Sequence, residues 1–225
     1  MREQLPPRGE SLDERFRKLK FLTDHWSRPA GPRAYYWYLS FGMSPQLRFL
    51  VKQCQESIAF PYYDLIPESG LHLTLDRVAY EGEVTPAHLR SIEAAATRAL
   101  QDMAPFEISI GSLGGTSGAL GFSASPATAI ERVRDVLREA TLSVCPNAPI
   151  KTSEFSPHVT VAYCNSARIP AAQIIEVVER LNKLPPVNVA VAGSVLVLLE
   201  RRQRAYTWQE IFRIPCEPRH SWPPP

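Results

Sequence analysis

The chain is 225 residues long, 44% apolar and 21% charged, with a formal net charge of +2. That length holds one large domain or two small ones around an ordinary soluble core. The charge is too even for wholesale binding of a nucleic-acid backbone, though it leaves room for a local basic pocket around one phosphate.

Taken in chain order, "MREQLPPRGE" is polar and lacks the apolar stretch of a signal peptide. The longest apolar run, Val187 to Leu199, is too short to span a bilayer, so no membrane association and a cytoplasmic location are expected. "SLDE", Ser11 to Glu14, carries a capping-box signature, and Leu12, Phe16 and Leu19 follow at helical spacing, predicting a short amphipathic helix over 12–24. "SRPAGPR" then breaks the chain. Residues 1–33 therefore read as an N-terminal tail with a short helix, 34–214 as the domain, and 215–225 as a Pro-rich tail that cannot continue a sheet.

Ser44-Pro45, Thr85-Pro86 and Ser125-Pro126 each place an N-cap residue before a proline at the first helical position, and each opens an apolar stripe. Pro170 is expected to open a fourth helix, with Ile174, Val178 and Leu181 on one face. Between these, strands are predicted at Tyr35–Phe41, Leu71–Val78, Phe106–Leu113, Leu120–Ala124, His158–Tyr163, Val187–Leu199 and Tyr206–Ile214. "GSLGGTSGALG" lacks the G-K-[ST] ending of a phosphate-binding loop and reads as a hairpin turn; "ERRQRA" reads as a second one. The pattern predicts an α+β fold: a bilobal, pseudo-two-fold duplicated domain, with two antiparallel sheets lining a central cleft and helices outside.

Cys54, Cys145, Cys164 and Cys216 lack C-x-x-C or zinc-finger spacing and are expected as buried thiols in a reducing compartment.

The chemistry concentrates in two strands. "GLHLTLDR" holds His72 and Thr74, and "SPHVTVAY" holds His158 and Thr160. Residues i and i+2 of a strand share a face, so each histidine points the same way as its threonine, while Leu71, Leu73 and Leu75, or Val159 and Val161, face the core. The chain has only five histidines. Two matched H-x-T patterns flanked by apolar residues would arise by chance on the order of once in several hundred such chains. Imidazole exchanges protons near neutral pH, so two of them flanking a phosphorus suit in-line displacement at a phosphodiester. Threonine hydroxyls can hold the non-bridging oxygens.

"HLTL" and "HVTV", one on a strand of each half, resemble the motifs of the 2H phosphoesterase superfamily, with "PHVTVAY" closest to its 2′-5′ RNA ligase-like and cyclic phosphodiesterase branch. The resemblance covers about residues 34–214. It implies a cleft between two lobes, His72 and His158 as the general acid–base pair, Thr74 and Thr160 as phosphate holders, and no metal or cofactor. It also implies a nucleotide or RNA-end partner with a cyclic or 2′-5′ phosphodiester. Some ligase-like members carry arginine five residues after the second histidine, where this chain has Tyr163; the same offset in the first motif holds Arg77.

Further substrate-binding candidates are Tyr36 and Tyr38, which alternation places on one face where they could stack on a base, and the cation Lys151. Arg33 and Arg168 are weaker cation candidates, mostly surface by type. Phe155 and Trp208 suit either core or cleft. "RRQR", Arg201 to Arg204, is a solubilising tip or a basic arm. His25, His88 and His220 have no evident partner. The expected activity is opening of a 2′,3′-cyclic phosphate by a monomeric, metal-independent enzyme. Ligation or cleavage of 2′-5′ bonds, a specialised cyclic-nucleotide phosphodiesterase, and a non-catalytic nucleotide-binding module are the other readings.

Overall fold

The structure, a computed structural model, describes residues 11–215 apart from 42–43, 102, 151–154 and 192. Lys151, Cys216 and His220 therefore lie outside the described residues. Two antiparallel sheets dominate. Strands β2 (Ala34–Ser40), β4 (His72–Tyr80), β10 (Gly193–Arg202) and β11 (Ala205–Pro215) form the first, in the order β11-β10-β2-β4. Strands β3 (Tyr63–Leu65), β5 (Phe106–Thr116), β6 (Ala119–Ser125), β7 (His158–Cys164) and β9 (Val187–Val191) form the second, in the order β3-β7-β6-β5-β9. A two-stranded ladder pairs β1 (Phe21–Leu22) with β8 (Ile169–Pro170).

Helices α3 (Pro86–Leu100) and α4 (Ala127–Val144) cover the first sheet. Helices α1 (Leu12–Arg17), α2 (Pro45–Ser57) and α5 (Ala172–Leu181) cover the second. This is the expected α+β arrangement, but the lobes are not sequence halves. β10 and β11 return from the C-terminal part to complete the first-motif sheet, while the β5–β6 hairpin crosses into the second-motif sheet.

The caps at Ser11, Ser44 and Thr85 form as predicted. Each side chain accepts a backbone N–H of the first turn, and Pro45 and Pro86 sit at the helix starts. Ser125 does not cap α4: its backbone is committed to the ladder opposite Ser109, and the helix begins at Ala127 without a side-chain cap. Pro170 likewise belongs to a strand, paired with Phe21, so α5 starts two residues later.

The predicted helix over 12–24 stops at Arg17, because the chain then extends to pair Leu22 with Ile169. This segment is packed into the core, with Phe16 and Leu22 fully buried. The glycine-rich stretch read as a turn is mostly strand. A Cβ at Gly114 would come within 2.4 Å of the Leu12–Asp13 backbone, so that glycine lets α1 lie directly on β5. The predicted single strand Val187–Leu199 is two strands in different sheets. At the crossing, a Cβ on Gly193 would lie 2.3 Å from the Ile214 carbonyl oxygen.

Trp37 is fully buried and donates its indole N–H to Thr141 Oγ1 of α4 at 3.1 Å, pinning helix to sheet. Cys54 and Cys164 are buried and Cys145 is half-buried, all as free thiols. Among the described residues, no helix is long and apolar enough to cross a membrane.

Candidate active site

The strands carrying the two motifs, β4 and β7, lie against each other across the gap between the sheets. Burial alternates along both: His72 and Thr74 are half-buried, while Leu71, Leu73 and Leu75 face the core; His158 is exposed and Thr160 half-buried, while Val159 and Val161 are buried. Strict alternation would then turn Arg77 and Tyr163 inward. Each strand instead has a register shift, at Trp37/Tyr38 in the β2–β4 ladder and at Leu120/Gly121 in the β6–β7 ladder. One extra residue turns the pleat over, so Arg77 and Tyr163 return to the cleft side.

The two histidines are held alike. His72 Nδ1 donates to the Gly70 carbonyl at 2.8 Å and His158 Nδ1 to the Ser156 carbonyl at 2.7 Å. A carbonyl can only accept, so Nδ1 carries the proton in both rings and Nε2 is the atom left for proton transfer. Their surroundings differ. The Tyr38 ring stacks on His72 with centroids 4.1 Å apart and Trp208 meets it edge-on at 4.9 Å. Burial pulls the His72 pKa down to about 4, its bond to Gly70 opposes this, and the His158 charge adds to the lowering. The two imidazoles are thus within electrostatic reach of one another.

Each motif threonine has a tyrosine neighbour: the Tyr38 hydroxyl interacts with Thr74 and the Tyr163 hydroxyl with Thr160. Burial raises both phenol pKa values, so both stay neutral near pH 7. Tyr38 is 2% exposed and covered by His72 and Trp208, so it supports the imidazole and offers no face to a base, contrary to expectation. Tyr36 is half-buried on the same side of the sheet and interacts with Arg77. Arg77 donates to the Pro149 carbonyl at 3.3 Å and lies over the Tyr80 ring, while its buried Nε has no hydrogen-bond partner among the described residues. Arg33 pairs with Glu81 at 2.8 Å, and Phe155 packs under Arg134.

The sequence reading missed His25. Its ring stacks on Tyr163 at 4.1 Å and its Nε2 bonds the Tyr206 hydroxyl at 3.0 Å, linking the two sheets. No local pattern signals this, because its partners lie far along the chain. The "RRQR" tip is stapled down. Arg201 donates to the Trp26 and Arg28 carbonyls, Arg202 pairs with Glu200, and Arg204 pairs with Asp64 of β3. A cavity of about 710 Å³ is walled by Tyr36 and Tyr206 on the first sheet and by Ser117 and Gly118 on the second. Among the described residues, no group of three or more His, Cys, Asp or Glu side chains is placed to hold a metal ion.

A family model described as the 2′-5′ RNA ligase superfamily matches residues 44–204 and so spans both H-x-T strands. The chain belongs to that superfamily. Solved structures agree on the fold of this ligase-superfamily member. TT0787 of Thermus thermophilus is similar with a TM-score of 0.65 at 20% identity, covering 84% of this chain and 100% of that one. E. coli LigT complexed with NADP+ is similar with a TM-score of 0.58 at 16% identity, covering 82% and 98%. The MHV ns2 PDE domain is similar with a TM-score of 0.51 at 10% identity, covering 81% and 100%. The fold is that of the 2H phosphoesterases. No curated protein sequence matches the chain. The segment holding α1, β1 and His25 precedes the region that the superfamily model matches.

Proposed function

We propose that this chain is a metal-independent phosphodiesterase that opens a 2′,3′-cyclic phosphate on a nucleotide or RNA end, with His72 as general base and His158 as general acid. The observation that carries this reading is the twinned arrangement: two imidazoles with the same Nδ1 lock, each two residues from a threonine, on strands facing each other. The difference in burial supports the roles. His72, enclosed by Tyr38 and Trp208, is neutral at physiological pH and has a lone pair on Nε2 to take a proton. His158 is exposed on the opposing strand and takes the complementary role of acid.

In this scheme His72 Nε2 removes a proton from water as the water oxygen attacks phosphorus. The bond from phosphorus to one ribose oxygen breaks, and His158 Nε2 protonates that oxygen. The product is a phosphomonoester, and exchange with solvent restores both rings. Thr74 and Thr160, oriented by Tyr38 and Tyr163, donate to the non-bridging oxygens as charge builds there. Arg77 supplies the positive charge that Tyr163 cannot, from the matching position of the other strand.

The superfamily match keeps one second reading in view: joining or cleaving a 2′-5′ bond at the same two histidines. Incubating the protein with an oligonucleotide ending in a 2′,3′-cyclic phosphate separates the two. A phosphomonoester end without change of chain length is the expected product. A longer product, in the presence of a 5′-hydroxyl oligonucleotide, would replace hydrolysis by ligation. Turnover is expected to survive EDTA.

A further inference from the structure

The cavity lies on the same sheet face as the reacting groups. In the first sheet, Thr74 pairs with Tyr38 and Tyr38 with Val195; Arg77 pairs with Tyr36 and Tyr36 with Val197. Paired residues of an antiparallel ladder share a face, so the face of His72 and Thr74 continues through Tyr36 to Leu199, Arg201 and Tyr206. Tyr36, Leu199, Arg201 and Tyr206 line the cavity. On the other side, Gly118 accepts the Cys164 N–H at 2.9 Å, next to Tyr163, the residue beyond Thr160 on the cleft side. The cavity thus lies along the same face, its wall residue Tyr36 paired with Arg77 and its wall residue Gly118 bonded to the strand just past Tyr163.

The remaining wall is the segment 23–32, which lies ahead of the matched superfamily region. This wall is fixed in place. Thr23 N–H donates to the Ser117 carbonyl at 2.9 Å, the two side-chain hydroxyls lie 2.8 Å apart, and Trp26 donates its indole N–H to Asp64 at 2.8 Å. Arg201 holds the Trp26 and Arg28 carbonyls. The site is therefore preformed, and its volume of about 710 Å³ falls within the usual range of small-molecule sites.

We propose that this cavity is a nucleoside subsite, built by the N-terminal segment, that receives the nucleoside next in the chain to the one bearing the reacting cyclic phosphate. It rests on the phosphodiesterase reading for the position of that phosphate. Its lining suits such an occupant: the Tyr36 and Tyr206 rings offer surface to a base, while the Ser27 and Thr116 hydroxyls offer polar groups to ribose and a flanking phosphate. The consequence is a substrate class. The protein prefers ends that carry at least two nucleosides over free cyclic mononucleotides.

The cavity can be plugged without touching the motifs. A Cβ at Gly31 meets nothing within 4 Å, and the Gly31 backbone is not left-handed, so Gly31→Phe adds bulk without strain. Leu199→Trp is a second plug from the sheet side, and Gly31→Ala is the control that leaves the volume open. Calorimetric titration with the deoxydinucleotide d(ApA), which carries neither a 2′,3′-cyclic nor a 2′-5′ phosphodiester, is compared with dAMP. The unaltered protein is expected to bind d(ApA) at least tenfold more tightly than dAMP. Either plug should abolish that advantage with dAMP affinity held within twofold, and Gly31→Ala should keep it. Equal affinity for the two ligands in the unaltered protein, or an advantage that survives both plugs, would overturn the subsite. Turnover of a cyclic phosphate is read separately. Its absence together with a plug-sensitive d(ApA) preference overturns the phosphodiesterase reading and leaves the subsite standing.

Discussion

At the scale of single residues, the two histidines share a tether and differ in their enclosure. Tyr38 and Trp208 strip water from His72 and hold its pKa near 4, whereas His158 faces solvent. A base works only when deprotonated, so activity on a cyclic phosphate should hold as pH falls towards 4 and then drop as His72 takes a proton. Trp208→Leu lets water reach the ring, which raises the His72 pKa towards its ordinary value of 6.5. The acidic limb of kcat/KM against pH should then move upward, and an unmoved limb would place the base elsewhere. The motif residues were legible in the sequence because a strand's period of two is a local property. Their supports were less so: Trp208 read as either core or cleft, Tyr206 and His25 reach the site from distant segments with no local sign, and the register shifts that bring Arg77 and Tyr163 to the cleft depend on neighbouring strands.

At the scale of elements, helix starts were readable wherever a capping side chain was free to turn back on the first turn, as at Ser44 and Thr85. They were misread where the backbone was already engaged in a ladder, as at Ser125 and Pro170. Apolar pattern alone could not split Val187–Leu199, because β9 and β10 are both rich in apolar residues and only the crossing at Gly193 separates them. The N-terminal segment is the largest departure. Its apolar stripe foretold a helix but not what covers it, and α1 seats Phe16 in the core against a glycine-bearing strand. Emptying that seat with Phe16→Ala should cost about 3–5 kcal/mol, as for other buried phenylalanines, read as a lower urea midpoint at unchanged slope. A cost under about 0.5 kcal/mol, typical of exposed positions, would mean that the segment is a dispensable tail.

At the scale of the whole molecule, the duplication predicted from two motifs is present as two sheets, yet the chain weaves between them, so neither lobe is a separate stretch of sequence. That weave brings β4 and β7 face to face, and the β10–β11 hairpin closes the far end by reaching Asp64 of β3. In the proposed mechanism, function then depends on both lobes contributing one imidazole to the same phosphorus. The most direct measurement is kcat on a 2′,3′-cyclic nucleotide for the unaltered protein, His72→Ala, His158→Ala and the double variant. The account predicts a loss of about 10²–10⁴-fold in each single variant, and a double variant little worse than either, because groups acting as one unit are non-additive. Full activity in both single variants would contradict it.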